Sequence, residues 1–202
     1  FPNETFDQNA YSLLRKAKFP FVMLCKPPRK LLCDSVSFDD YFASYQIVGS
    51  LYKYRCSEVI YVTKGSYNAI VRKERREGYV DRIIRKGQKQ EYIFDLDRES
   101  DVDALEKYIA CQKRKFAIVA YNNIVFKAIE SILIIYEKKL GVDYECASFY
   151  EKDIGISKGE KLFYVPKEKI MRSAFQILYN KIESKTKSES VSHIIFSFQD
   201  MK

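Results

Sequence analysis

From end to end the sequence alternates short apolar runs, rich in β-branched and aromatic residues, with longer stretches whose apolar residues recur every three or four positions. Short continuous apolar runs are the mark of strands buried on both faces, and the longer pattern is that of amphipathic helices. Parallel strands need a crossover between them, most often a helix, so this alternation predicts an α/β protein with parallel sheets. Strands are predicted over residues 19–25, 58–63, 91–96, 116–120, 144–149, 161–165 and 193–198. Helices are predicted over 7–18, 39–54, 70–86, 122–140 and 166–184, with Gly87 suited to a left-handed stop. Ser100 and Asp103 form a capping-box pattern that opens one further helix, with Val102, Leu105 and Ile109 on its apolar face.

Composition narrows the function classes. The 202 residues are 47% apolar and 31% charged, ordinary for a globular chain with a real core. The seven glycines form neither GxGxxG nor GxxxxGK[ST], so the loops that cradle phosphates by close backbone approach are missing. GxSxG is absent too. The single histidine, His193, excludes HExxH and two-histidine zinc sites, and its place in an apolar run suits a hydrogen-bonded strand histidine. Five cysteines (Cys25, Cys33, Cys56, Cys111, Cys146), never in CxxC spacing, suggest neither a disulfide framework nor a zinc ribbon and fit a reducing cytoplasm. No run reaches the roughly 20 apolar residues of a membrane span, and no signal-peptide pattern opens the chain. Thirty-five basic residues against 27 acidic ones leave a formal charge of +8.

Four motifs then stand in order. They are Val36-Ser37-Phe38-Asp39-Asp40, Arg75-Arg76-Glu77-Gly78-Tyr79, and Ala117-Ile118-Val119-Ala120-Tyr121-Asn122-Asn123. The fourth is Ala147-Ser148-Phe149-Tyr150-Glu151, followed by Val165-Pro166 and Ala174. Together they resemble the V-x-x-D-[ND], R-x-x-G-[FY], strand-then-N-D, and V-G-[FY]-D-[DN] with Q-P signatures of the lactose-repressor/galactose-repressor (LacI/GalR) family of bacterial transcription regulators. The likeness spans nearly the whole chain.

The resemblance implies the periplasmic-binding-protein-like type I fold: two α/β lobes joined by three crossing strands. Residues 1–62 with 165–190 are expected to form lobe one, and 63–163 with 191–202 lobe two, the crossings lying near 62–65, 163–165 and 191–193. It also implies that a helix-turn-helix headpiece and roughly 60 residues of two βα units precede Phe1, so that lobe one is truncated at its start.

Ligands of open α/β sheets sit beyond the carboxyl ends of strands, which makes Asp40, Arg75, Asn122 and Tyr150 the candidate effector-binding residues. Arg75 offers a rigid fork of donors for an oxygen pair, against an alternative as an ordinary solvated charge. Asn122 offers a donor and an acceptor to a sugar hydroxyl, and is also a good helix N-cap. Asp40 suits either a ligand hydroxyl or the cap of the helix that starts there. Tyr150 stands where the family places Asp, and Asn123 likewise replaces Asp. The loss of two acids admits a phosphorylated as well as a neutral sugar, unless the charge of +8 serves solubility alone.

The function these readings imply is the effector-sensing domain of a DNA-binding regulator, with a free-standing solute-binding protein for sugar uptake as the alternative. An enzyme is not expected, because no nucleophile, base and orienting group assemble from the motifs. The expected partners are a sugar or phosphorylated sugar, DNA only through the headpiece, and a second copy in a homodimer; neither a membrane, a cofactor nor a metal is expected. The dimer expectation rests on aromatic surface at Tyr41, Phe42, Tyr45, Tyr52 and Tyr54. Truncating Arg75 is expected to weaken ligand binding with little change in stability.

Overall fold

The computed structural model describes residues 12–14, 16–24, 26–27, 32–65, 69–151, 158–183 and 191–197. Most of the predicted helix 7–18, Cys25, Gly155, the polar stretch 185–190 and the tail from 198 lie outside these residues. The chain forms two compact units, residues 40–164 and residues 1–39 with 165–202.

The larger unit is built on five parallel strands: β3 (Val59–Thr63), β4 (Ile93–Asp95), β5 (Phe116–Ala120), β6 (Tyr144–Phe149) and β7 (Lys161–Phe163), in the order β4-β3-β5-β6-β7. Every residue of β3, β5 and β6 is buried, so helices cover both faces. Alternation sorts the side chains. Ile60, Val62, Phe116, Ile118, Ala120 and Cys146 share a core with Leu105, Ile109, Val125, Phe126, Ile129 and Leu133. Those last six belong to α3 (Glu99–Cys111) and α4 (Asn123–Ile135).

The opposite face meets α2 (Ala69–Arg85), whose Tyr79 ring stacks on Tyr61 with centroids 5.5 Å apart. The Tyr79 hydroxyl donates to the Val59 carbonyl at 2.9 Å. Against α2 lies α1 (Asp40–Leu51). At this crossing a Cβ on Gly78 would come 2.2 Å from the Tyr41 carbonyl oxygen. The glycine and tyrosine of R-x-x-G-Y are thus packing residues: one lets two helices touch backbone to backbone, the other ties α2 to β3.

Two tyrosines of α1 also reach α2. Tyr41 donates to Asp81 at 2.7 Å, Arg85 donates to the Tyr45 hydroxyl at 3.1 Å, and Tyr52 of the following 3-10 turn donates to Gln88 at 3.0 Å. Of this group Tyr54 is the one counted among the exposed large side chains.

The smaller unit holds parallel strands β1 (Val22–Met23), β2 (Asp34–Phe38) and β8 (His193–Phe196), in the order β1-β2-β8, together with α5 (Lys167–Glu183). Buried Asp34 accepts from the Ser192 amide at 2.8 Å and pairs with Lys181 of α5. His193 shares a 2.8 Å hydrogen bond with Ser35, as its strand position suggested.

Several boundaries differ from the sequence expectation. The 58–63 strand is not the last of lobe one. As β3 it pairs with both β4 and β5, so the first passage between units falls after Asp39 instead of at 62–65. The passage expected near 163–165 lies at Tyr164–Val165. β8 pairs with β2, so residues 191–197 stay in the smaller unit and no third passage occurs among the described residues.

Helix α3 begins at Glu99 behind Arg98, which makes no side-chain cap, so Ser100 lies inside the helix instead of ahead of it. The Ser100–Asp103 box is therefore not formed as a cap. The 122–140 helix stops at Ile135, where Glu137 takes a left-handed φ of 52° and the Lys138 amide reaches back to Leu133 at 2.8 Å. That is a Schellman-type stop without glycine. Gly87, at φ 81°, is the left-handed residue predicted after α2.

Candidate functional site

Parallel strands bring all their carboxyl ends to one edge of the sheet, and at this edge of the larger unit the candidate residues meet. α1 begins with Asp40 directly at its first turn, and α2 carries Arg75 two turns in, both nearly inaccessible at 7% and 5% exposure. Arg75 Nε donates to Asp40 Oδ1 at 2.7 Å, and Nη1 donates to the Tyr121 carbonyl at 2.5 Å. The guanidinium carbon lies 3.6 Å from the Phe149 ring centroid and 4.6 Å from that of Tyr121. Ser44 of α1 holds the Arg75 carbonyl at 2.6 Å. A buried charge needs a partner and a full set of hydrogen bonds, and here Arg75 finds an anion, a carbonyl and two aromatic faces.

Asn122 follows β5 with extended backbone and caps α4, its side-chain oxygen accepting from the Val125 amide at 2.9 Å. The cap fixes which end of the amide is which. Nδ2 is left fully buried with no hydrogen-bond partner among the described residues. Unpaired buried donors are rare, and each calls for a water or a ligand. Asn123 takes a different task, its Oδ1 accepting from the Glu151 amide at 2.9 Å and so pinning the chain after β6.

Tyr150 stands at the same edge, where the ring against Arg75 is that of Phe149, one residue earlier. The Tyr150 ring packs 4.7 Å from Tyr164, which follows β7. The structure thus joins Asp40 and Arg75 directly, sets Asn122 next in sequence to the Tyr121 carbonyl that Arg75 holds, and assigns Tyr150 to an aromatic pair with Tyr164. Tyr121 and Phe149, inside the motifs, and Thr63 and Tyr164, outside them, stand at this edge without having been singled out from the sequence. Their common signal is position, within one residue of a strand's carboxyl end.

No protein-family model matches the chain, and no curated protein matches it. Solved structures do. A LacI family transcriptional regulator from Enterococcus faecium with bound ribose aligns over 97% of this chain and 74% of its own, with a TM-score of 0.78 and 14% identity. A probable maltose operon transcriptional repressor from Staphylococcus aureus aligns over 96% and 70%, with a TM-score of 0.76 and 16% identity. The transcriptional regulator CelR in complex with cellobiose aligns over 95% and 60%, with a TM-score of 0.73 and 15% identity.

The chain has the fold of LacI-family regulators.

Within the LacI-type fold the four motifs fall where the resemblance placed them. V-x-x-D-D ends β2 and opens α1, R-x-x-G-Y lies on α2, the N-N pair closes β5, and Tyr150-Glu151 closes β6. At 14 to 16% identity this likeness is one of fold, carried by α/β units with parallel sheets. No helix among the described residues is long and apolar enough to cross a membrane.

Proposed function

We propose that this chain is the effector-sensing part of a LacI-family transcriptional regulator, and that a sugar or related small molecule binds at the carboxyl-end edge of its five-stranded sheet. The observation that carries the reading is Asn122, a buried amide donor with no hydrogen-bond partner among the described residues, held in place by its own capping bond at the edge where open α/β sheets bind ligands. The ribose and cellobiose held by proteins of the same fold support a hydroxyl-rich ligand. In this reading the chain binds and does not catalyse. It acts as a homodimer in the cytoplasm and controls DNA through a helix-turn-helix outside these residues. Coupling between sugar and DNA is then reciprocal: each changes the affinity of the other by the same factor.

The test is a thermal-shift panel of sugars that includes ribose and cellobiose, followed by calorimetric titration of the best hit into the wild type and Asn122→Ser. Serine caps a helix about as well as asparagine, so the fold is kept while the Nδ2 donor is lost. At least one sugar is expected to raise Tm, and Asn122→Ser to weaken it roughly tenfold at unchanged stability. A sugar that binds both proteins equally would place its site elsewhere.

A further inference from the structure

The cations of α2 are sorted along its length. In its first two turns Arg72 lies 3.8 Å from Asp95, Lys73 3.8 Å from Glu77, Arg75 2.7 Å from Asp40 and Arg76 3.9 Å from Glu91. At its carboxyl end Arg82, Arg85 and Lys86 have no carboxylate within ion-pair distance among the described residues. Asp81, the one acid between residues 81 and 89, accepts from the Tyr41 hydroxyl at 2.7 Å.

What these three cations meet is tyrosine. Arg85 donates to the Tyr45 hydroxyl at 3.1 Å, the Arg82 guanidinium carbon lies 4.5 Å from the Tyr45 ring centroid, and the Lys86 ammonium lies 5.9 Å from that of Tyr52. The hydrogen bond from Arg82, and with it that from Arg85, holds the Tyr45 phenol below its ordinary value against the opposing effect of burial. Neutral rings and hydroxyls hold a cation in place and leave its charge uncancelled. Arg82 also has a seat of its own. Gly49 lies inside α1, where glycine weakens a helix relative to alanine, and a Cβ there would come 2.4 Å from Arg82 Nη2 and 2.5 Å from Nε. Tyr52 donates to Gln88, and the next residue along each segment, Lys53 and Lys89, is an exposed cation. A helix carboxyl end favours cations, which accounts for their number but not for the glycine and tyrosines that fix them.

Arginine and tyrosine are the residue types that carry much of the energy of protein contacts, and side chains fixed beforehand lose little freedom on binding. We infer that this face of α1 and α2 is an interaction surface for an acidic segment of another protein, whose carboxylates pair with Arg82, Arg85 and Lys86. The inference stands independently of the sugar-sensing reading. Other occupants fit less well. An isologous contact with a second copy would set like charges against each other. A nucleic acid calls for a long basic stripe and ring faces free for stacking. Here the stripe ends where Lys73 and Arg76 are paired, and the Tyr45 ring stacks on Tyr41 at 6.4 Å with Arg82 close against it.

The experiment follows the fluorescence anisotropy of a labelled octaglutamate peptide titrated with the full chain and its variants, each checked for fold by circular dichroism. Arg85→Gln/Lys86→Gln removes two exposed charges from the surface, and Lys113→Gln/Arg114→Gln removes two exposed charges elsewhere. Gly49→Ala keeps every charge and displaces Arg82 from its seat. The first variant is expected to bind the peptide roughly tenfold more weakly than the wild type and the second to match it within about twofold. Gly49→Ala is expected to bind more weakly than the wild type; unchanged binding would overturn the role of Arg82. Equal losses in the two double variants would reduce the effect to net charge and overturn the inference, as would a peptide that does not bind the wild type. Tighter binding of a single-stranded oligonucleotide with the same number of charges, lost in Arg85→Gln/Lys86→Gln, would give the surface to nucleic acid. Self-association of the chain abolished by the same substitutions in sedimentation would give it to a second copy. Either result overturns the acidic-segment assignment.

Discussion

Arg75 shows how far a residue's chemistry depends on what it touches. In the sequence it sits in the run Lys73-Glu74-Arg75-Arg76-Glu77, where any of the charges could be solvated. Folding selects this one for burial, because Asp40, Tyr121 and Phe149 converge on it from three other segments. Those partners lie 35 to 74 positions away in sequence, beyond any local pattern. The motif could mark Arg75 as special but could not say that Asp40 and the Tyr121 carbonyl already take two of its donors.

The expectation that its truncation would spare stability is accordingly replaced. Arg75→Ala leaves the Asp40 carboxylate buried without its cation, and removing one partner of a buried pair costs about 3 to 5 kcal/mol. Urea unfolding should show the loss as a lower midpoint. A variant with wild-type stability would mean that Asp40 reaches water once the arginine is gone.

At the scale of elements, strands β5 and β6 were legible to the residue, β5 as an unbroken apolar run and β6 as a buried run interrupted only by Glu145 and Ser148. Helix ends were less so. Gly141 drew the expected end of α4 past its true stop because Glu137 adopts a backbone conformation that glycine usually supplies. The amino-end edge of the sheet holds a feature that only pairing reveals. Glu145 of β6 is buried between Lys115, 2.7 Å away just before β5, and Lys161, which opens β7. Burial works to raise its carboxyl, but the hydrogen bonds from Lys115 and Lys161 prevail and hold it below the usual glutamate value.

A lowered carboxyl stabilises the fold above the unfolded value, near 4.5, and that contribution is lost as pH falls through the lower native one. Glu145→Gln should therefore lower Tm at neutral pH and make little difference once the carboxyl is protonated. Melting curves from pH 7 down to pH 3 would show the two proteins converging. A constant gap across that range would mean the lysines do not act through the charge.

For the molecule as a whole, the periodicity foretold the class, parallel α/β, and the motifs foretold the LacI-type fold that solved structures match. The division into units was harder to read. A strand such as β3 carries the same buried pattern whichever sheet it joins, and nothing in its residues names β4 and β5 as its neighbours. For the same reason β8 could be foreseen as a strand but not as the partner of β2. The candidate site was legible only in part: strand ends supplied Asp40, Arg75, Asn122 and Tyr150 as candidates, while the aromatic pair on Arg75 emerged only from packing.

The central claim is that a sugar binds where the strands of the five-stranded sheet end. Amide hydrogen exchange of the chain, with and without a saturating sugar from the thermal-shift panel, tests it directly, because bound ligand suppresses local opening around its site. The account predicts added protection at residues 63–65, 121–125 and 149–151, with little change at the opposite edge around Lys115 and Tyr144. Protection confined to that opposite edge or to the smaller unit would contradict it.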